Sequence, residues 1–69
     1  MFSVYPNPVK DQLFVKAENL QKVEVYNIVG QQMMVVEDPV IDMSALTEGI
    51  YFVRIIVDGN IVTKRVVKQ

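Results

Sequence analysis

The sequence predicts an all-β fold, a Greek-key β-sandwich of about seven short antiparallel strands, and three observations carry that expectation. The apolar positions are dominated by Val, Ile, Tyr and Phe, whose stiff or broad side chains suit a pleated surface. Turn residues recur between short apolar runs: Pro6 and Pro8, Gly30, Pro39, Gly49 and Gly59. No stretch shows the apolar period of an amphipathic helix.

Taken in order, a first strand covers Phe2 to Tyr5 and is stopped by Pro6 and Pro8, which lack backbone donors and would leave gaps in a central ladder. Leu13 to Ala17 is the second, with Leu13, Val15 and Ala17 facing one way and Lys16 the other. Lys22 to Asn27 repeats the pattern, with Val23 and Val25 inward and Lys22, Glu24 and Tyr26 on the opposite face. Asn27-Ile28-Val29-Gly30 is a hairpin loop in which Gly30 supplies a positive φ and re-enters the ladder as a bulge. Gln31 to Val36 returns, Glu37-Asp38-Pro39 breaks the strand, and Val40 to Asp42 resumes before a compact turn at Met43-Ser44-Ala45-Leu46. Ile50 to Val57 is apolar on both faces apart from Arg54, which predicts a central strand covered on each side. Asp58-Gly59-Asn60 is a tight hairpin, and Ile61 to Val67 runs back along its neighbour.

A second constellation supports the sandwich. Leu46, Gly49 and Tyr51 sit at the entrance to the central strand with the spacing of a tyrosine corner, as in immunoglobulin-like domains. Either the phenol bonds back to upstream backbone or Tyr51 only packs and Gly49 only turns. In both readings the two residues are structural.

Composition narrows the function classes. A chain of 69 residues is one domain, and domains of this size bury only about 60% of the surface their unfolded chains expose. There is neither Cys nor His, so disulfide and zinc staples are missing and packing with strand pairing must suffice. The same absence removes Ser-His and Cys-His nucleophile pairs and any imidazole proton shuttle. Glu37, Asp38 and Asp42 are the nearest approach to a carboxylate cluster, but they lack the alternating spacing of calcium loops. They read as solvated loop charge, with Asp42 capping the turn at Ser44. No Gly-rich phosphate cradle is present, and Met33-Met34 reads as core filler. The chain is therefore expected to be no enzyme and to hold no cofactor or metal. A formal net charge of −1 argues against nucleic acid, since only Lys64, Arg65 and Lys68 cluster. No apolar run is long enough to span a bilayer as a helix.

Two short segments have a structural and a functional reading each. Pro6-Asn7-Pro8 fixes φ on both sides of an asparagine, which makes either a stiff stop between strands or a rigid loop for display. Lys64, Arg65 and Lys68, set among Val62, Val66 and Val67, are either an edge strand's gatekeepers against aggregation or a contact surface.

Their order along the chain favours the functional readings. Tyr5-Pro6-Asn7-Pro8 with Asp11, then Val23 to Gln31, then Ile41 to Tyr51, then Lys64 to Lys68 follow one another and fill nearly the whole sequence. In this order they resemble the C-terminal sorting domain carried by cargo of the bacterial type IX secretion system. The resemblance implies an immunoglobulin-like sandwich at the C-terminus of a larger secreted protein, covalently linked to an upstream cargo. It also implies partners in an outer-membrane translocon and a sortase-like peptidase that removes the domain, a route through the periplasm to the surface of a Gram-negative bacterium or beyond, and no activity of the domain's own. The start, Met1 followed at once by strand-like residues, reads as an initiator added to an excised domain, with the cleavage site near or upstream of Met1. The residues expected to meet the translocon are Pro6, Asn7, Pro8, Gly49 and Tyr51, together with Lys64, Arg65, Val66, Val67 and Lys68, with strand addition at an exposed edge as the mode. Exposed edges also raise the expectation of a homodimer. Two rivals share the sandwich: a structural immunoglobulin-like spacer, and a carbohydrate-binding or adhesive module. The latter would need an aromatic platform, whereas Tyr5, Phe14 and Tyr26 are spread over separate strands and there is no Trp.

Overall fold

A computed structural model describes residues 2–69; Met1, and with it the expectation of an added initiator, lies outside the described residues. Seven strands follow one another: β1 (Ser3–Tyr5), β2 (Gln12–Lys16), β3 (Leu20–Tyr26), β4 (Gln32–Val36), β5 (Val40–Asp42), β6 (Gly49–Val57) and β7 (Asn60–Lys68). They form a three-stranded sheet ordered β1-β2-β5 and a four-stranded sheet ordered β4-β3-β6-β7, with every strand pair antiparallel. After the β3–β4 hairpin the chain crosses to pair β5 with β2, then crosses back so that β6 lies beside β3. That return makes the sandwich a Greek key, as the sequence predicts.

Period-two patterning sets the core. Leu13 and Val15 of β2, Ile41 of β5, Val23 and Val25 of β3, Val66 of β7 and alternate residues of β6 from Tyr51 to Val57 turn inward and are buried. Each fully buried aliphatic side chain contributes about 1.5–3 kcal/mol. β6, with Tyr51, Val53, Ile55 and Val57, therefore carries the largest share of any strand.

The structure corrects the sequence reading at four places. β6 is central within its sheet but buried on one face only: Ile50, Phe52, Arg54 and Ile56 point to the outer face and are half-buried, because a two-layer sandwich leaves the outside of each sheet to solvent. Glu24, expected on a polar outer face, does face outward, yet it is buried beneath its neighbours. Lys22 Nζ and Arg54 Nη1 lie 3.4 and 3.5 Å from its carboxylate, the Tyr26 hydroxyl donates to it at 3.0 Å, and the Arg54 guanidinium sits 5.5 Å from the Tyr26 ring centroid. The turn between β6 and β7 consists of Asp58 and Gly59, at φ 44° and 82°, while Asn60 already pairs with Val57. In β4 a second irregularity follows the Gly30 bulge, since Tyr26 pairs with Gln32 but Val25 with Met34, which leaves Met33 as an extra residue, 42% exposed rather than core filler.

The registers give the sandwich two distinct ends. One end carries the β2–β3, β4–β5 and β6–β7 connections, as the pairing of Leu20 with Val57 and of Val57 with Asn60 requires. The other carries the β1–β2 loop, the β3–β4 hairpin, the β5–β6 connection and the last residues of β7, because Tyr26 pairs with Phe52 and Gly49 with Lys68. Ser3 pairs with Lys16, so the chain enters from the first of these ends.

Candidate functional site

Most of the residues singled out in the sequence gather at the second end. The β1–β2 loop leaves β1 at Tyr5, passes through Pro6, Asn7 and Pro8, all exposed, and turns in at Val9, which is fully buried. Both prolyl bonds of this loop are cis. Asn7 uses its carboxamide as a strand would use a peptide group: Nδ2 donates to Arg65 O at 3.1 Å, and Oδ1 accepts from Val67 N–H at 3.0 Å. Val9 continues the ladder in parallel, its N–H donating to Val67 O and its carbonyl accepting from Gln69 N–H, both at 2.8 Å. The two termini of the sequence, 58 and 60 residues apart at these contacts, thus form one clasp.

The clasp closes the outer edge of β7 from Arg65 to Gln69. Strand addition from the Arg65 carbonyl to the Gln69 N–H, one of the expectations, is opposed while the clasp is shut, because the Arg65 carbonyl, both Val67 groups and the Gln69 N–H are already paired. By antiparallel alternation Ile61 and Thr63 also point their backbone groups to that edge, and they carry no strand partner among the described residues.

The basic cluster does not form one patch. Lys64, Val66 and Lys68 turn to the sandwich side of the sheet, as the pairing of Lys64 with Val53 and of Val66 with Tyr51 dictates, while Arg65 and Val67 face out. Lys68 is 7% exposed, and its Nζ donates to Gln69 O at 2.8 Å. Val66 and Tyr51 are core residues, and of the ten candidates Pro6, Asn7, Pro8, Gly49 and Arg65 are the exposed ones. Gly49 opens β6 at φ 150°, a conformation that L side chains rarely adopt, with open space where a Cβ would stand. Tyr51 makes the tyrosine corner: its hydroxyl donates to Thr47 O at 2.8 Å.

Between the β1–β2 loop and the β5–β6 connection lies an open groove of about 690 Å³ bordered by Pro6, Pro8, Phe14, Asp11, Asp42 and Gln69. Its Asp42 accepts from Ser44 Oγ at 2.6 Å and from Ser44 N–H at 3.0 Å, the capping expected from the sequence. These two bonds hold the Asp42 carboxyl below the ordinary carboxylate range. Among the described residues no group of three or more carboxylates or other ligating side chains is placed to hold a metal ion. Tyr5 and Phe14 lie on different strands, as the sequence reading has it, but β1 and β2 are neighbours, so the rings stack at 5.7 Å between centroids with 25° between planes. Each ring gives a face to the other, and Tyr26 stands on the other sheet beneath Arg54.

An immunoglobulin-like sandwich with a tyrosine corner is shared by many functions. The deciding observation is a match over residues 3–69 to the family described as the secretion system C-terminal sorting domain. The chain belongs to that family. No curated protein matches it. As a type IX sorting domain it serves the export of protein to the cell surface or exterior of Gram-negative bacteria and works with the type IX machinery. The resemblance read from the sequence is to this same family, but sequence reasoning missed that Asn7 joins the first of its blocks to the last. It also passed over Ile28 and Val29, which stand 70% and 75% exposed at the tip of the β3–β4 hairpin on this same end.

Proposed function

We propose that this sorting domain is the last domain of a larger secreted protein, that its loop end engages an outer-membrane translocon, and that a sortase-like peptidase then separates it from the upstream cargo. The domain has no catalysis of its own in this reading; the fold is the signal. The observation that carries it is the Asn7 clasp, which ties the Pro6-Asn7-Pro8 loop to β7 from Arg65 to Gln69, next to Gly49, the partner of Lys68. A rigid surface binds without first losing conformational entropy. Cargo joined through the N-terminal side would leave from the opposite end, since β1 runs from there toward the loop, and so would not cover the surface that the translocon meets. Exposed Pro6, Asn7, Pro8, Gly49 and Arg65 are the direct contacts, whereas Tyr51 and Val66 act by holding the fold.

The test fuses the domain to a periplasmic reporter with its own signal peptide in a type IX host. Deleting Lys64 to Gln69 should leave the reporter in the cell, and undiminished export would overturn the role of the terminal strand. Because that deletion removes half of β7, Asn7→Ala is run beside it. This variant keeps every strand and the Val9 bonds but removes the two carboxamide bonds of the clasp, and it should lower export while the purified domain still shows a cooperative melt.

A further inference from the structure

Among the described residues the tip of the β3–β4 hairpin differs from the other turns in placing two large aliphatic side chains at its centre. Ile28 and Val29 occupy the two central positions of a turn, where Pro, Asp, Asn, Ser and Gly are favoured, and they are the most exposed of the large hydrophobic side chains. The exposure is not looseness. Gly30 N–H donates to Asn27 O and Asn27 N–H to Gln31 O, at 3.0 and 2.9 Å, while Asn27 Oδ1 accepts from Val29 N–H and Gln31 N–H at 3.1 and 2.9 Å. Asn27 Nδ2 donates to Gln31 Oε1 at 2.9 Å, and Gly30 takes the φ of 88° that closes the bulge. Two aliphatic side chains are thus held out on a stiff support, the arrangement that lets an anchor residue enter a pocket at little entropic cost.

We propose that Ile28 and Val29 form an anchor that inserts into a preformed, uncharged apolar pocket on a protein of the type IX apparatus. The inference rests on the sorting reading and adds a contact to it. Charge selects this occupant. Between Glu24 and Glu37 there is no charged residue, in a chain of which 22% is charged, so neither partner would have to bury an unpaired charge at the contact. A lipid surface fits less well, because the tip from Asn27 to Gln31 offers neither Lys or Arg for anionic headgroups nor Trp or Tyr for the interface. A second copy fits less well, because its own tip is convex and the groove it carries beside the β1–β2 loop is bordered by Asp11, Asp42 and Lys10, which an apolar tip would strip of water. The hairpin also lies at the same end of the sandwich as the clasp and the Gly49 turn, so one partner can reach all three.

In the reporter fusion, Ile28→Ser with Val29→Ser places turn-compatible residues at both positions. The melting midpoint of the purified domain should hold, and export should fall about tenfold or more, as when buried anchors are removed from an interface. Ile28→Leu with Val29→Leu, which keeps the apolar tip, should restore it. A photo-crosslinking amino acid at position 28 should give an adduct with a component of the apparatus, and one at Glu18, on the other end, should not. Equal export by the serine variant, or adducts at position 28 made only of lipid or of a second copy of this chain, would overturn the anchor. If the unsubstituted domain fails to export the reporter, the sorting reading itself falls, a result separable from loss in the serine variant alone.

Discussion

The two ends of the sandwich are built from the same kinds of turn and differ in what those turns present. At the end where the chain enters, the connections are made of residues chosen for their backbone: Asn19 at φ 56°, Glu37-Asp38-Pro39 with Asp38 Oδ1 accepting from Val40 N–H at 2.9 Å, and Asp58-Gly59 in a two-residue hairpin. All are exposed, none carries a large apolar side chain, and each is explained by the strands it joins. At the opposite end, an asparagine reaches across the chain to clasp the final strand, two aliphatic residues stand in water, and Gly49 adopts a φ that side chains avoid. Local turn chemistry accounts for the first end. The second shows features whose reason lies outside the turn itself, which is the usual mark of a surface shaped for a partner.

The largest effect should come from Gly49→Val. The site has room for a side chain, so the cost is purely conformational, roughly 1–3 kcal/mol for forcing a β-branched residue to positive φ. In a domain this small each kcal/mol moves the melting midpoint by about 4–8 °C. A midpoint within a degree or two of the unsubstituted domain would show that the β6 entrance can rearrange and that Gly49 is present for some other reason.

Asn7→Ala comes next. It removes two hydrogen bonds, each with a net value of about 0.5–1.5 kcal/mol, from a segment whose remaining bonds run through Val9. The effect should be local before it is global. Amide exchange at Val67 should accelerate far more than at Ile55 in the core, and Gln69, bonded to Val9, should follow Val67. Uniform acceleration across the chain would mean that the clasp is an integral part of the fold and not a latch on the loop end.

The opposite end supplies the contrast. Gly59→Ala puts a side chain into the left-handed region at φ 82° with no steric neighbour, at a cost of roughly 1–2 kcal/mol. It should lower the melting midpoint about as much as Asn7→Ala, yet leave reporter export unchanged. Loss of export at matched stability would erase the distinction between the two ends.

What the sequence made legible follows the same division. Strands and turns were readable because alternation in Leu13-Phe14-Val15 or Val23-Glu24-Val25, and a positive-φ residue such as Gly30 or Gly59, act within a few positions of themselves. The tyrosine corner spans only Thr47 to Tyr51, so its spacing was visible too. The Asn7 clasp was not, since nothing in Pro6-Asn7-Pro8 names a partner near Val67, and only the packing of the β1–β2 loop against β7 brings them together. The burial of Glu24 was hidden for a related reason: it depends on Arg54, from a strand 28 residues beyond Tyr26, folding over the Tyr26 ring. The half-exposed outer face of β6 was misjudged because an apolar strand alone does not reveal whether a second layer covers it.

The smallest effect concerns acid stability, and it too separates regions. Asp42, at the loop end, is held below the ordinary carboxylate range by its hydrogen bonds from Ser44. Glu24, in the middle of the outer sheet face, is lowered first by the hydrogen bond from Tyr26 and then by Lys22 and Arg54, against the opposing effect of burial. For both groups the folded form binds its proton less readily than the unfolded chain does. Their stabilisation is therefore complete above the unfolded pKa and is lost as pH falls through the lower, folded value. The melting midpoint should stay level from neutral pH down to about 5 and decline below about 4.5. Asp42→Asn should flatten part of that decline at little cost near neutrality, because the side-chain oxygen can still accept from Ser44 N–H. Glu24→Gln should flatten it as well but lower the neutral-pH midpoint, since it leaves Arg54 and Lys22 without their carboxylate. An unchanged acid limb in both variants would show that neither the Asp42 nor the Glu24 carboxylate carries the acid sensitivity.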